Sequence, residues 1–325
     1  MSKLKDIIFE QGIYLASESD VKGRLKVAQA AKERGFERFG TEFLFIRMGD
    51  VSNLDKQATL ARMVQKEYDK LFDETYFSIH FPWIRHGETA VETSQRALEG
   101  LKQVLEFLPE VVSAITLHVG IVSSDEQKNF DSPEKKRKAL ENLSGVINDL
   151  NYNNQRVCVE SILQPADHPG AFFYAGMLPS DFKILTRKPN VGVTLDTCHA
   201  GVAQYNCQQM VNTGKLCEGL AQSDWPEVKQ LARDPIGPYL PLGNKIWQAH
   251  FSDYKNRPGQ LPLHGPPFPD GERSGEEMWD QLRRIRAATN KKPLGATLEI
   301  IETDYANCTN MLSSLDWIHQ MEERE

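Results

Sequence analysis

The sequence has no long apolar run and no recognisable export signal. In its 325 residues no stretch approaches the ~20 consecutive apolar residues that a membrane-spanning helix needs. The N-terminal segment MSKLKDIIFEQG lacks the apolar centre and the small-residue cleavage site of a signal peptide. We therefore expect a cytoplasmic protein with no membrane partner.

Paired cysteines and an excess of basic residues are also missing. The five cysteines are an odd number with no CxxC spacing, which argues against a disulfide framework and a cysteine-based zinc site. The formal net charge of −7 gives no sign of the basic face with which proteins usually bind a nucleic-acid backbone. Net charge does not exclude a local basic patch, so this lowers the expectation of a nucleic-acid partner without removing it.

What the chain does contain is a regular alternation of strand-like and helical segments. Eight apolar runs predict strands at 7–16, 36–45, 75–81, 113–120, 155–162, 191–198, 245–253 and 294–301. A helical segment follows each of them, including ETSQRALEGLKQVLEFL at 92–108. Strict alternation implies parallel strands joined by right-handed crossovers, and eight units most simply close into a (β/α)8 barrel, the TIM barrel.

The whole chain, residues 1–325, is expected to form one such barrel, because no linker separates two domains. An open doubly wound sheet, the main alternative, would need a glycine-rich phosphate turn after the first strand, and GIYLASESD is not one. Two stretches are expected to form elaborated loops. The first, 201–245, is the least regular part of the sequence, and the second, 256–275, is too proline-rich for helix or strand.

Charged and coordinating side chains stand where the predicted strands end. Because the carboxyl ends of the strands line the active site of a TIM barrel, these side chains are expected to share one rim. They are His80, His118, Glu160, Asp196, His199, His250 and Glu299, with His264 in the loop after the seventh strand. Singly, a strand histidine is more often a hydrogen-bonded core residue, and an Asp after a strand often caps the next helix. These single-residue explanations do not account for five of the eight histidines and three acids at one end of the barrel.

A bound metal ion explains this set of residues better. Three carboxylates buried together without a cation would cost several kcal/mol in like-charge repulsion and desolvation. Imidazole and carboxylate ligands without a thiolate suit zinc, manganese, cobalt or iron better than magnesium or calcium. We expect a divalent metal cofactor, zinc or manganese before the others, present as one or two ions.

Several segments resemble the xylose-isomerase-like barrel superfamily, which includes endonuclease IV and many sugar isomerases and epimerases. LDTCHA at 195–200 is close to the sixth-strand signature of endonuclease IV, and SIHFPW and HFSDYK are similar to its third and seventh strands. The resemblance covers nearly the whole barrel and implies which residues bind metal. It assigns a central ion to Glu160, Asp196, His250 and Glu299, a second to His80 and His118 with Glu160, and a third to His199 and His264.

Three segments depart from the endonuclease IV pattern. Where that family has an aspartate ligand for the third metal, this chain has Pro262, whose side chain cannot coordinate. TEFLFIRMGD does not match the loop that inserts into DNA, and HGPPFPDGE looks more like the corresponding loop of the sugar isomerases. No fully ligated third site is therefore expected.

Two enzymatic activities fit these residues. The preferred one is an isomerase or epimerase for a sugar or polyol-like small molecule, in which Glu160 and Glu299 exchange a proton beside a metal-bound carbonyl. There His80, His118 and His199 would contact substrate hydroxyls. The alternative is an endonuclease IV-like phosphodiester hydrolase acting on nucleic acid, which the pair of His80 and His118 favours. A third class is a binding protein that has lost catalysis. In such a protein some of the metal-ligating residues would be replaced by residues that cannot coordinate.

Overall fold

The computed structural model describes residues 7–13, 18–44, 54–81, 113–118, 121–123, 132–149, 156–162, 171–173, 176–217, 220–257, 262–289 and 293–324. All eight candidate site residues lie within these ranges. The predicted helix at 92–108 lies outside them, as do the ends of the segments SIHFPW and TEFLFIRMGD.

Eight parallel strands close into a barrel, which confirms the fold expected from the sequence. The barrel strands are β1 Ile7–Ile13, β2 Phe39–Leu44, β3 Phe77–Phe81, β4 Ala114–Leu117, β6 Val157–Glu160, β8 Val191–Asp196, β9 Ile246–His250 and β12 Leu294–Leu298. Each pairs with the next along the chain, and β12 closes on β1. Two small antiparallel pairs lie outside the barrel: β5 Ile121–Ser123 with β7 Ala171–Phe173, and β10 Tyr254–Lys255 with β11 Leu263–His264.

Helices connect the barrel strands. The described α-helices are α1 Glu18–Glu33, α2 Leu54–Leu71, α3 Pro133–Asp149, α4 Pro179–Leu185, α5 Thr197–Thr213, α6 Trp225–Leu231, α7 Gly275–Ala288 and α8 Thr309–Glu323. Two 3-10 helices cover Gln222–Asp224 and Gly237–Lys245. Among the helices within the described ranges, none is both long and apolar enough to cross a membrane.

The apolar core lies between the barrel and its helices. Phe39 of β2 packs against Tyr68 of α2 and against Phe72, directly after that helix, with ring centroids 6.1 and 5.7 Å apart. In the C-terminal half the rings of Phe268 and Trp317 stack at 4.7 Å. Burial of such rings outside the barrel fixes the face that each strand turns outward, so the alternate residues must point inward.

The inward residues form layers along the barrel axis. An apolar cluster comes from Ile8, Tyr76, Ala114, Cys158 and Trp247. Next to it lies a buried polar layer of Glu10, Glu42, Ser78, Thr116, Thr194, Gln248 and Thr297. Two residues further along their strands come His80, His118, Asp196, His250 and Glu299. The candidate site residues therefore share one end of the barrel because they continue the period-two pattern of its interior.

Both expected loop stretches contain more regular structure than the sequence analysis predicts. The helix α5 begins at Thr197, directly after β8, and covers the first part of 201–245, where α6 and the two 3-10 helices follow. The predicted strand 191–198 is accordingly two residues too long. In 256–275 the expectation of no strand is wrong at Leu263–His264, which pairs with Tyr254–Lys255 as a short strand.

Candidate metal centre

The structure brings the eight candidate residues together at the carboxyl ends of the barrel strands. Six lie within one residue of the end of a barrel strand: His80, His118, Glu160, Asp196, His250 and Glu299. The other two come from the segments that follow, His199 from the first turn of α5 and His264 from β11. Each residue is therefore held by a regular element, which suits a preorganised centre.

A central group is formed by Glu160, Asp196, His250 and Glu299, whose potential ligand atoms all lie within 4.8 Å of one another. Nδ1 of His250 lies 3.0 Å from Oε1 of Glu160, 3.3 Å from Oε1 of Glu299 and 3.7 Å from Oδ2 of Asp196. The first three residues are fully buried, and the Glu299 side chain is 13% exposed. Three carboxylates from three strands thus converge on one imidazole nitrogen.

A second group joins His80 and His118 to the other oxygen of Glu160. Oε2 of Glu160 lies 2.9 Å from Nε2 of His80 and 2.6 Å from Nε2 of His118. The two imidazole rings meet edge to face at 4.7 Å between centroids. Glu160 therefore belongs to both groups, one oxygen to each.

A third group consists of Asp196, His199 and His264. Oδ2 of Asp196 lies 3.5 Å from Nδ1 of His199 and 3.6 Å from Nε2 of His264. Pro262, two residues before His264, is half-buried and adds no ligand atom. This group therefore offers three protein ligands where the endonuclease IV pattern has a further aspartate.

Asp196 serves both as a helix cap and as a candidate ligand, the two roles that its position in the sequence allows. Its Oδ1 accepts the backbone N–H of His199 at 2.8 Å and so caps α5. Its Oδ2 is buried, faces the metal-ligand groups and has no hydrogen-bond partner among the described residues. The helix cap fixes the carboxylate so that the second oxygen points at the other ligands.

The carboxyl groups of the central group differ in their acidity. Burial alone would raise the pKa of Glu160, but the imidazoles of His118 and His250 hold it well below its usual range. Burial acts in the same direction on Asp196, and the neighbouring imidazoles again outweigh it and lower the pKa. In Glu299, burial raises the pKa above its usual value, and His250 offsets only part of the increase.

The pKa values of the histidines are also shifted in different directions. Burial lowers the pKa of a histidine, but Glu299, Glu42 and Glu160 together raise that of His250 well above its ordinary value. For His118 the effect of burial exceeds that of Glu160, and the pKa is lowered. The charge of each of these side chains therefore affects the pKa values of its neighbours.

These residues fit a divalent metal ion. The donors are imidazole nitrogens and carboxylate oxygens, the set that zinc and manganese accept. Oδ2 of Asp196 is buried and forms no hydrogen bond within the described part of the chain, although it lies 3.5 to 3.7 Å from nitrogens of His199, His250 and His264. Buried polar atoms are normally hydrogen-bonded, so atoms left without a partner at a cluster of ligands indicate an ion.

Glu42 lies directly behind the central group and was not among the residues predicted from the sequence. Its Oε1 is 3.2 Å from Nε2 of His250, and the side chain is fully buried on β2. The run FERFGTEFLF also contains Glu37 and Arg38, so the presence of a charged residue there does not single out Glu42. By contrast Asp253, an acid just after β9, pairs with Arg273 at 2.7 Å and belongs to none of the three groups.

No protein-family model and no curated protein matches this sequence. Among solved structures, the fold is similar to a xylose isomerase domain protein from Planctomyces limnophilus, with a TM-score of 0.50 and 14% identity over 98% of this chain and 95% of that chain. It is also similar to the IOLI protein with a binding zinc atom, with a TM-score of 0.51 and 12% identity over 97% of this chain and 98% of that chain. At these identities the likeness shows the fold alone, and at that level it confirms the xylose-isomerase-like resemblance.

Proposed function

We propose that this protein is a metal-dependent isomerase or epimerase acting on a sugar or polyol-like small molecule, with residues 1–325 as a single catalytic barrel. The observation that carries the proposal is the central group: two glutamates, one aspartate and one histidine within 4.8 Å, at the end of a TIM barrel where active sites lie. One ion with two flanking glutamates is sufficient for proton transfer next to a carbonyl.

In this proposal Glu160, Asp196, His250 and Glu299 hold a divalent ion, zinc or manganese. When bound, such an ion supplies Lewis-acid polarisation of a carbonyl oxygen and stabilises negative charge on it. The IOLI protein, which has a similar fold, binds a zinc atom, and this supports zinc as the ion. His80 and His118 with Glu160 are the ligands available to a second ion, so one or two ions per chain are expected.

Glu160 and Glu299 are the two groups that would exchange a proton with the carbon beside the carbonyl. Their carboxylate oxygens lie 3.0 and 3.3 Å from the same nitrogen of His250, so a substrate bound at the central group would lie next to both of them. One carboxylate would take the proton from carbon, and the carboxyl group so formed would return it to the substrate. His199, His80 and His118 would bind substrate hydroxyls.

A phosphodiester hydrolase of the endonuclease IV type is the second candidate. The group of His80, His118 and Glu160 favours it, because hydrolysis of a phosphodiester commonly uses two metal ions. Two features argue against a hydrolase. Pro262 stands where the endonuclease IV pattern has a ligand of the third metal, and a net charge of −7 does not favour a nucleic-acid partner. Nucleic acid is thus a substrate only in this alternative.

The test compares carbon–hydrogen exchange with strand incision. Protein loaded with zinc or manganese is incubated in D2O with a panel of ketoses, and deuterium at the carbon beside the carbonyl is measured by NMR. We expect incorporation with the wild-type protein and none with Glu160→Gln or Glu299→Gln. In parallel, a duplex with an abasic site is incubated with the same preparations. Incision without any exchange would replace the isomerase proposal with the hydrolase.

A further inference from the structure

We propose that Glu42 is a positioning residue of the metal centre, which holds His250 so that Nδ1, and not Nε2, is its metal-binding nitrogen. This inference rests on the metal site of the proposed function but adds a residue from a strand that carries no ligand. Two features support it: the surroundings of the two nitrogens of His250 and the contacts that fix Glu42. A second buried glutamate that lacks the contact serves as the control.

The two nitrogens of His250 lie in different surroundings. Nδ1 faces the oxygens of Glu160, Asp196 and Glu299, at 3.0 to 3.7 Å. Nε2 points the other way, into the barrel, and lies 3.2 Å from Oε1 of Glu42. Because the ligands of the central group all lie on the Nδ1 side, Nε2 is the nitrogen left to carry the proton. Nε2–H then donates to Glu42, and Nδ1 keeps its lone pair.

Glu42 is itself fixed by the polar layer of the barrel. Its Oε1 accepts an N–H of Gln248 at 3.1 Å, and Gln248 lies two residues before His250 on the same strand. The Gln248 amide also contacts Ser78 and Thr297, at 3.1 and 3.0 Å, and its carbonyl accepts the hydroxyl of Thr116 at 3.1 Å. Residues from β2, β3, β4, β9 and β12 thus hold one carboxylate against one imidazole.

The negative charge of Glu42 has a direct effect on a cation bound by His250. A carboxylate that accepts the outer N–H of a metal-binding imidazole fixes its tautomer and orientation and makes its other nitrogen more basic. Glu42 is fully buried, so its charge is little screened by water. Loss of that charge should therefore weaken metal binding even when the shape of the side chain is kept.

Glu10 provides a matched control. It is a glutamate of the same polar layer, fully buried like Glu42, and its Oε2 accepts the hydroxyl of Ser78. Glu10 belongs to none of the three ligand groups, and among the described residues its side-chain hydrogen bond goes to Ser78 rather than to His250. Burial and the neighbouring Glu42 raise the pKa of Glu10 well above its usual value. Glu10→Gln therefore controls for disturbance of the buried polar layer, and not for loss of charge, without touching the imidazole.

The experiment measures zinc affinity by competition with a chromogenic chelator, and the visible spectrum of the cobalt-loaded protein, for the wild type, Glu42→Gln, Glu42→Leu and Glu10→Gln. Gln can still accept the N–H of His250 but has lost the charge, whereas Leu has lost both. We expect Glu42→Leu to bind zinc about 10- to 100-fold more weakly and Glu42→Gln by a smaller factor in the same direction. The cobalt spectrum should change in Glu42→Leu and stay close to wild type in Glu10→Gln.

The possible results separate this proposal from the function on which it rests. If the wild type binds neither zinc nor cobalt, the metal-dependent function fails. If the wild type binds and both Glu42 variants bind within threefold of it, Glu42 is not a positioning residue. A loss in Glu10→Gln equal to that in Glu42→Gln would also overturn the proposal, because the effect would then be a general one of the polar layer. Should Glu42→Leu not fold, the comparison of the two Gln variants decides.

Discussion

At the residue scale, Glu299 is the most exposed member of the central group, with a side chain that is 13% exposed. It lies directly after β12 and contacts His250 and His264 at 3.3 and 3.4 Å. We predict that Glu299→Gln folds but loses most of its bound metal, because an amide oxygen is a far weaker ligand than a carboxylate. Metal content after dialysis, measured by elemental analysis, checks this.

Asp253→Asn is the matched control for that prediction. Asp253 is a buried acid three residues beyond His250, but its partner is Arg273, which donates to it at 2.7 Å. The variant should be less stable and yet keep its metal. Equal metal content in Glu299→Gln and the wild type would show that Glu299 is not a ligand.

The candidate site residues that the sequence could predict are polar side chains at the ends of apolar strands. An imidazole or a carboxylate at the end of an apolar strand is noticeable, so the histidines and Glu160 could be found from pattern alone. The contact of Glu42 with His250 could not be predicted in this way, because it crosses the barrel and joins residues 208 positions apart in the chain. Contacts between distant strands depend on the register of the closed barrel, which periodicity does not determine.

At the element scale, the junction between β8 and α5 depends on the two oxygens of Asp196. We predict that Asp196→Asn keeps the cap of α5 but loses the central metal, because Asn is as good an N-cap as Asp and a poorer ligand. Asp196→Ala should lose both, and should be less stable than the Asn variant by about 1 kcal/mol. Urea unfolding of the metal-free variants together with their metal content tests this. Equal stability of the two variants would show that the cap contributes nothing.

Gly265 joins the segment that carries His264 to the residues that follow the strands β9 and β12. This glycine has a positive φ of 65°, and a Cβ there would lie 2.1 Å from the carbonyl oxygen of Glu299. Its own N–H donates to the carbonyl of Asp253 at 2.9 Å, and its carbonyl accepts the N–H of Ile301 at 2.7 Å. The backbone contact therefore sets the distance between His264 and Glu299.

We predict that Gly265→Ala is more destabilising than the same change at Gly214, the C-cap of α5. Gly214 has a similar φ of 68°, but no atom of the described residues lies within 4 Å of an added Cβ, so its substitution should cost only the backbone strain, about 1–2 kcal/mol. At Gly265 the clash adds to that strain and displaces His264. Urea unfolding of the two variants measures the difference, and an equal loss of stability would mean that the segment shifts freely.

Helix boundaries near the site were less predictable than the elements themselves. The apolar run at 191–198 continues past the end of β8, since Thr197 and Cys198 are buried in α5 as deeply as they would be in a strand. Periodicity does not distinguish a buried helix start from a buried strand end over two residues. The capping hydrogen bond of Asp196 decides the boundary, and it depends on backbone geometry.

At the scale of the whole molecule, the fold could be predicted because eightfold alternation of strand and helix has few closed solutions. The polar layer inside the barrel could not be predicted from the sequence. Glu10, Glu42 and Gln248 occupy strand positions that an apolar pattern would fill with Val or Leu, and their burial follows from closure. This layer lies beneath the candidate ligand residues and contacts them through the 3.2 Å hydrogen bond between Glu42 and His250, so the barrel interior has polar contacts in place of some apolar packing.

We predict that the stability of the whole barrel depends on a metal ion bound at the central group. Without an ion, the carboxylates of Glu160, Asp196 and Glu299 repel one another in a buried site, and a ligand that binds only the folded state adds RT ln(1 + [L]/Kd). At a thousandfold excess of zinc over its Kd this is about 4 kcal/mol, or a rise in the midpoint of thermal unfolding of roughly 5–10 °C. Scanning calorimetry of chelator-treated protein with and without zinc measures the rise. It should persist in Asp253→Asn and disappear in Glu299→Gln, and a rise of equal size in Glu299→Gln would place the stabilising ion outside the central group.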